Sequence, residues 1–222
     1  MRRTLFLCAV ACCLLLGGCA DTSVHPSNVY VVLPKDTLYS IAWRFNLDYH
    51  DLARWNNIGP DFRITAGQTL TLIPSTRAAN VPKAPAAAHA TAPRTNNPPL
   101  SNSPGLSWVW PTDRYAPPQP VSGGGILIAG RVGQDVRAAS SGRVVYNGSG
   151  IRGYGNLIII KHGENLLSAY AHNRESMVHE GEEVATGQVI GHMGEGAPAK
   201  PVLYFEIRRN GKPIDPLPFL PK

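Results

Sequence analysis

The feature that most constrains this 222-residue chain is a stretch near its middle that cannot form a packed core. Residues 75–107 are rich in Pro, Ala, Asn and Ser and contain almost no large apolar side chains. Such a segment buries too little apolar surface to offset the conformational entropy lost on ordering, and its prolines favour an extended spacer. The chain is therefore predicted to fold as two units, one on each side of a linker at 75–107.

The charge of the chain does not indicate a nucleic-acid partner. Lys and Arg number 21 against 15 Asp and Glu, which gives a net charge of +6. Most of this excess lies in residues 1–18 and in the linker, so the two predicted units are nearly neutral. Because nucleic-acid-binding domains concentrate basic residues on one face or helix, no nucleic-acid partner is expected. The 22 Gly and 20 Pro also argue against a coiled coil or an all-helical bundle.

The first residues have the pattern of an export signal. Arg2 and Arg3 precede an unbroken apolar run over 5–16. That run is shorter than the roughly 20 residues that a membrane-spanning helix needs, and it matches the apolar region of a secretory signal peptide. The sequence therefore predicts export of the chain, with residues 1–18 removed.

The end of this signal resembles a bacterial lipobox. Leu16-Gly17-Gly18 precede Cys19, and the resemblance implies that Cys19 carries the lipid anchor and that 19–28 form a tether. An ordinary signal peptide that happens to end near a cysteine is the alternative. Several acyl chains on one residue would anchor the protein stably. Ala20 after the cysteine implies an outer-membrane lipoprotein that faces the periplasm of a Gram-negative bacterium. Since the other cysteines lie in the removed segment, no disulfide is expected.

Residues 29–74 have the pattern of a small α+β domain. Short strands are predicted at 29–32 and 69–73, with two helices between them. Asp36 or Thr37 can cap the first helix. The apolar positions that follow helical spacing are Leu38, Ile41, Ala42 and Phe45 in the first helix, and Leu52, Ala53 and Trp55 in the second.

This strand–helix–helix–strand order, with the motifs D-T-L, N-x-I and G-Q-x-L, resembles a LysM domain. The resemblance implies binding to the N-acetylglucosamine-containing glycan strands of peptidoglycan. Lys35 departs from the family, which usually has Gly before D-T, and this departure bears on glycan affinity and not on the fold. The glycan contacts that the resemblance implies come from two loops, through Asp36, Thr37, Leu38, Asn56, Ile58 and Ile64.

Residues 108–222 have the composition of a turn-rich β-domain. Residues 121–211 hold 17 Gly and two Pro, and apolar runs such as Leu157-Ile158-Ile159-Ile160 lie between turns. Short, evenly spaced strands favour an all-β sandwich or barrel. Strands are predicted at 142–146, 156–162, 166–171, 189–191 and 202–208.

Eight ordered motifs in this segment resemble the lysostaphin-type (LytM) zinc metallopeptidase domain. They include Trp108-x-Trp110-Pro111, Tyr170-Ala171-His172-Asn173 and Phe205-Glu206-Ile207-Arg208. Active members of that family take two zinc ligands from H-x-x-x-D and the third from the second His of H-x-H. A catalytic zinc also needs an open position for the water that it activates.

This chain lacks those ligands. Gly123 and Leu127 stand at the two positions of H-x-x-x-D, and Tyr204 stands at the third. Val202 replaces an assisting histidine, so His172 is the one family position that remains. Because these side chains cannot hold zinc, no metal, cofactor, catalytic residue or peptidase activity is expected. The remaining histidines do not suggest a rebuilt site: His162 lies in the family's x-H-G turn, and the others lack a metal-binding spacing, namely His172, His179 and His192.

An open groove on a rigid scaffold would remain where the metal site was lost. Alternation along the last predicted strand places Val202, Tyr204, Glu206 and Arg208 on one face. An aromatic and apolar strip with one Arg is typical of the energetic centre of a protein interface. The residues expected to line the groove and bind a partner are Leu127, Tyr154, Tyr170, His172, Val202, Tyr204 and Arg208.

An acyl anchor, a LysM domain, a spacer and a LytM domain without ligands together resemble NlpD-like lipoproteins, and more loosely EnvC. The resemblance implies non-enzymatic activation of periplasmic N-acetylmuramoyl-L-alanine amidases for septal wall splitting and daughter-cell separation. It also implies that the groove engages the amidase and displaces an inhibitory helix from the amidase's zinc. Two alternatives stay open at this point: a structural tether between the outer membrane and peptidoglycan, and a zinc peptidoglycan endopeptidase.

Overall fold

The computed structural model describes residues 28–74, 107–114, 116–196 and 199–222. The predicted signal peptide, Cys19, nearly all of the tether and residues 75–106 of the linker lie outside these ranges. Within them, the helices are all too short or too polar to cross a membrane.

The N-terminal domain, residues 28–74, has the predicted strand–helix–helix–strand order. Strand β1 (Val29–Val31) pairs antiparallel with β2 (Thr69–Thr71). Helices α1 (Leu38–Arg44) and α2 (Tyr49–Trp55) lie between them in sequence. The fully buried side chains of this small core are Leu38, Ile41, Leu52 and Leu70.

The ends of α1 explain its length. Thr37 is the N-cap: its Oγ1 accepts from Ser40 N at 3.1 Å, and Ser40 Oγ accepts from Thr37 N at 3.0 Å. This reciprocal capping box satisfies two backbone donors that the first turn leaves open. The helix ends at Arg44: Phe45 is the C-cap, and Asn46 has a left-handed φ of 55°. Phe45 therefore lies outside the regular helix and is 38% exposed, although the helical spacing predicted it to face the core.

The C-terminal domain is built on one large antiparallel sheet, which confirms the predicted all-β fold. The strands in the described residues are β3 (Gln119–Pro120), β4 (Ile126–Ala129), β5 (Asp135–Arg137), β6 (Gly142–Gly148), β7 (Asn156–His162), β8 (Leu166–Ser176), β9 (Glu183–Val184), β10 (Val189–Met193), β11 (Glu195–Gly196), β12 (Lys200–Arg209) and β13 (Lys212–Ile214). The five strands predicted from the sequence correspond to β6, β7, β8, β10 and β12, and the sequence analysis missed the shorter strands.

The central path of this sheet runs β3-β4-β12-β8-β7-β6-β9, and β10 joins β8 to β5. Strand β12 therefore lies between β4 and β8, with Tyr204 opposite both Leu127 and Ala171. This pairing places residues that are far apart in sequence next to one another on adjacent strands.

The two faces of the sheet belong to different apolar clusters. Leu203, Phe205 and Ile207 of β12 are fully buried in the core of the C-terminal domain. On the opposite face, apolar residues of β6, β7 and β8 form one cluster with the core of the N-terminal domain. The N-terminal domain thus packs against the sheet face that the predicted groove occupies.

Candidate functional site

Tyr204, at the family's third metal-ligand position, lies beside the strand that carries Leu127, another of those positions. Leu127 and Tyr204 are direct cross-strand partners on β4 and β12. A Cβ atom placed on Gly125 would lie 2.6 Å from Tyr204 Cζ, so the absence of a side chain there leaves the space that the ring fills. Gly123 has a φ of +108°, a backbone conformation that residues with a side chain rarely adopt.

This donor set does not fit a zinc ion. Tyr204 Oη donates to Glu206 Oε2 at 2.6 Å, and burial together with the Glu206 carboxylate raises the pKa of Tyr204, so the phenol stays protonated. Gly123 and Leu127 supply no donor atom from a side chain. Among the residues that the structure describes, no three His, Cys, Asp or Glu side chains lie close enough together to hold a metal ion.

His172, the surviving family position, has an unusual backbone. Its φ is +65°, in the left-handed region, which few residues with a side chain adopt. His172 N donates to Tyr154 O at 2.9 Å, and its ring centre lies 6.4 Å from that of Tyr204. Burial lowers the pKa of His172, so the neutral imidazole is favoured near neutral pH.

Five of the predicted groove residues come together around Tyr204. The Tyr154 and Tyr204 rings meet edge to face with their centres 5.5 Å apart. A Cβ on Gly196 would lie 2.6 Å from Val202 and 3.2 Å from His172, so these two side chains border the same glycine. Leu127, Tyr154, His172 and Tyr204 are half-buried, and Val202 is 9% exposed. Their role in binding a partner stays a prediction.

Tyr170 was predicted to line this groove, and the structure corrects that assignment. Its side chain is fully buried in the cluster on the other face of the sheet. Its hydroxyl accepts from Ala139 N at 2.8 Å and is hydrogen-bonded to Ser168 Oγ at 2.9 Å. Tyr170 is the cross-strand partner of Phe205, whereas Ala171 is that of Tyr204, so regular alternation along β8 places Tyr170 on the core face.

Arg208 was predicted to line the groove and bind a partner; it shares the groove face but is only 4% exposed, so its side chain is covered in this arrangement. Its Nε donates to Glu206 Oε1 at 2.7 Å. Its Nη1 donates to the backbone oxygen of Trp43, in α1 of the N-terminal domain, at 2.9 Å. The Arg208 guanidinium also lies 3.7 Å from the centre of the Trp43 ring. The N-terminal domain therefore covers this end of the groove.

Other contacts between the domains were not predicted from the sequence. Lys161 Nζ of β7 lies 5.3 Å from the Tyr49 ring centre and 5.4 Å from that of Phe62. Arg44 Nη2 donates to Gly150 O at 3.2 Å. Gly211 lies close to the backbone that leads into α2, and a Cβ atom on Gly211 would be 2.4 Å from Leu47 O. The Asn-Gly pair at 210–211 is a recognisable hairpin signal, but it does not indicate what the turn will contact.

The residues predicted to bind glycan divide into two groups. Leu38 is fully buried, because it fills the N-terminal core from the first position of α1, so its side chain cannot contact a glycan. Asp36 accepts from Leu33 N at 2.9 Å and pairs with Arg44 at 3.1 Å. Asn56 bonds both backbone groups of Thr71, at 2.6 and 2.9 Å. The remaining three are partly exposed: Thr37, Ile58 and Ile64.

Thr37 and Ile64 open onto a crevice of about 1170 Å³ between the two domains. This volume exceeds the usual range of about 300–1,000 Å³ for ligand pockets. The N-terminal wall includes Asp36, Thr37, Tyr39, Phe62 and Ile64, and the C-terminal wall includes Arg143, Lys161, Glu180 and Glu183. The loops predicted to bind glycan therefore lie beside the same interface that covers Arg208.

Comparison with known proteins identifies both domains and the family. The model of the LysM domain matches residues 30–72, and that of Peptidase family M23 matches 122–216. The lipoprotein NlpD/LppB homolog of Pseudomonas aeruginosa is 41% identical over 232 residues, which cover 88% of this chain and 78% of that protein. The uncharacterized lipoprotein YgeR of Escherichia coli is 38% identical, with 94% and 89% covered. The murein hydrolase activator NlpD of Salmonella dublin is 34% identical, with 93% and 71% covered. The chain therefore belongs to the NlpD/LppB lipoprotein family and combines a LysM domain with a Peptidase family M23 domain.

Proposed function

We propose that this protein is a non-enzymatic activator of periplasmic N-acetylmuramoyl-L-alanine amidases in septal wall splitting and daughter-cell separation. The observation that carries the proposal is the Tyr204 ring at the third ligand position, hydrogen-bonded to Glu206 and bordered by Tyr154. A surface of aromatic and apolar side chains is suited to binding a protein, whereas hydrolysis by this family's mechanism needs a metal-bound water. The name of the Salmonella relative, a murein hydrolase activator, supports the proposal.

Activation of this kind is a shift between two states of the amidase. A groove that binds the open amidase more tightly than the closed one moves the equilibrium towards the open form. A shift from 1:99 to 99:1 needs about 5.5 kcal/mol of differential binding. The half-buried side chains of Leu127, Tyr154 and Tyr204 offer apolar area for part of that difference.

The deciding experiment measures release of dye-labelled fragments from purified sacculi by a periplasmic amidase of the same cell. The full chain and the fragment 108–222 are each added, with Tyr204→Ala variants beside them. Stimulation by at least one wild-type form, lost in its Tyr204→Ala variant, is the expected result. Absence of stimulation by both wild-type forms with every periplasmic amidase of that cell would favour the structural tether.

Catalytic inactivity is a separate part of the proposal and has its own test. The purified chain, equilibrated with zinc and desalted, is expected to retain no stoichiometric zinc and to leave sacculi intact when no amidase is present. About one tightly held zinc per chain, the content of an active mononuclear site, would instead favour the endopeptidase.

We also propose that the N-terminal domain binds peptidoglycan glycan strands through Thr37, Ile58 and Ile64. Co-sedimentation of the protein with purified sacculi tests this. Ile64→Asp should reduce the bound fraction, because Ile64 is partly exposed beside the crevice. Ile73→Asp is the matched control, since Ile73 is 43% exposed and does not line the crevice. Equal binding by both variants would contradict the assignment.

We also propose that the protein is an outer-membrane lipoprotein: residues 1–18 are removed as a signal peptide, and Cys19 carries the lipid. Two folded units, 29–74 and 108–222, are then joined by the linker 75–107. The relatives named as lipoproteins support it. Cys19→Ser should abolish incorporation of radiolabelled palmitate and remove the protein from the outer-membrane fraction. Unchanged labelling would place the lipid elsewhere.

A further inference from the structure

We propose that the N-terminal domain regulates this protein by covering one end of its own groove, with Trp43 as the covering residue. The inference rests on the proposed function, because it concerns access of an amidase to the groove. In the closed arrangement, α1 covers Arg208 while Leu127, Tyr154 and Tyr204 remain partly exposed. An amidase that needs the whole groove must therefore displace the N-terminal domain.

First, Arg208 and Glu206 form a buried ion pair that contacts the N-terminal domain. They are 4% and 1% exposed, and a buried ion pair is tolerated only when its hydrogen-bonding groups find partners. Trp43 supplies two such contacts to the guanidinium, its backbone oxygen at 2.9 Å and its ring face at 3.7 Å. The Trp43 oxygen, in the last turn of α1, also accepts from Asn46 N at 3.3 Å, so the guanidinium adds a second hydrogen bond to this carbonyl group. The contact thus joins the buried Arg208–Glu206 pair to the N-terminal domain.

The second support is that this contact is continuous with the centre of the groove. Glu206 binds Arg208 through Oε1 at 2.7 Å and accepts from Tyr204 Oη through Oε2 at 2.6 Å. The Trp43 ring also meets the Tyr154 ring edge to face, with centres 6.4 Å apart. A partner that approached Tyr204 and Tyr154 from the Arg208 end would collide with α1.

The third support is that the interface has features of a reversible contact. Among the described residues, Trp43 Nε1 is buried without a hydrogen-bond partner, which costs free energy in the closed state. The surrounding contacts include polar ones, such as Tyr49 Oη to Glu164 O and Arg44 Nη2 to Gly150 O. Interfaces of this mixed character between domains of one chain commonly permit relative motion. Regulation by this contact requires the domains to separate at their shared apolar cluster while each domain stays folded.

A single glycine offers a way to open the interface without changing the groove. Gly211 has a φ of +72°, and a Cβ there would lie 2.4 Å from Leu47 O. Asn tolerates this backbone region better than most residues, so Gly211→Asn keeps the hairpin turn and pushes the domains apart. Gly133→Asn is the matched control, because Gly133 has a φ of +82° and open space around its Cβ position.

The test measures full-length protein in detergent, both by small-angle X-ray scattering and by stimulation of a purified amidase on sacculi. Gly211→Asn should expand the molecule and raise stimulation at subsaturating protein by about tenfold, equivalent to about 1.4 kcal/mol. Trp43→Ala, which removes the covering side chain, should act in the same direction. Gly133→Asn should match the wild type in both measurements.

The two measurements distinguish failure of the regulatory role from failure of the activator function. If Gly211→Asn expands the molecule and stimulation equals that of the wild type, the regulatory role is overturned and the activator function stands. If the wild type already scatters as two independent domains, the closed arrangement and the inference are both overturned. If the expanded Gly211→Asn protein and the wild type both fail to stimulate any periplasmic amidase, the proposed function itself fails.

Discussion

The guanidinium of Arg208 stacks on the ring of Trp43 at 3.7 Å and donates to the backbone oxygen of the same residue at 2.9 Å. These residues belong to different domains, 165 positions apart in the sequence. The contact joins the end of a groove without metal ligands to the helix of a LysM domain. It makes the spatial relation of the two domains part of the candidate functional site.

Loss of the Arg208 side chain should destabilise the protein strongly. Arg208→Leu leaves the Glu206 carboxylate buried without its cation, and removal of one partner of a buried ion pair costs about 3–5 kcal/mol. Urea denaturation followed by circular dichroism measures the free energy of unfolding. Arg209→Leu is the control, because Arg209 is exposed and surface substitutions usually stay within about 0.5 kcal/mol. Equal losses for the two variants would contradict burial of the Arg208–Glu206 pair.

Tyr170→Phe should lower the stability of the core without reducing amidase stimulation. The change leaves Ala139 N buried without the hydroxyl that accepts from it at 2.8 Å. Such an unsatisfied donor costs about 1–3 kcal/mol in the free energy of unfolding. Amidase stimulation by the folded variant should equal that of the wild type. A folded Tyr170→Phe protein of normal stability that no longer stimulates would restore Tyr170 to the groove.

Stability should fall in acid because of His162. Burial lowers the pKa of His162 from 6.5 to about 4, so the unfolded chain binds this proton more readily than the folded one. The stabilisation is fully present above pH 6.5 and is lost as pH falls towards 4, by about 3 kcal/mol in total. Unfolding free energies of the wild type and His162→Gln, measured between pH 7 and pH 4, should converge as the pH falls. His179→Gln is the control substitution, at a histidine with 83% of its side chain exposed. Parallel curves for the wild type and His162→Gln would contradict the prediction.

Asp36→Asn should act on the fold of the LysM domain. Asp36 accepts from Leu33 N and from Tyr30 Oη and pairs with Arg44, with only 6% of its side chain exposed. Hydrogen bonds to charged groups contribute about 1.5–3 kcal/mol, so the free energy of unfolding should fall by about that amount.

The measurement for Asp36→Asn is urea denaturation followed by Tyr and Trp fluorescence, and Asp61→Asn is the control. Asp61 has 62% of its side chain exposed and pairs with Arg63 at 3.6 Å, so its replacement should change stability little. Normal stability of Asp36→Asn with reduced binding to sacculi would instead indicate direct contact between Asp36 and glycan.

The sequence by itself determined the local features of this protein. Helical spacing and the Thr37 cap predicted α1, and turn-bounded apolar runs predicted β6, β7 and β12, because these signals act over a few residues. The residue types at 123, 127 and 204 likewise predict, without any coordinates, that the family's zinc ligands are lost.

Only the tertiary structure decided which of the predicted residues are accessible. The register between β8 and β12 pairs Tyr170 with Phe205 on the core face, and the local sequence of either strand does not encode that register. Leu38 and Arg208 are buried because of what packs over them, the N-terminal core in one case and Trp43 in the other. Burial depends on contacts between distant parts of the chain, so the covered end of the groove became visible only when the two domains were placed together.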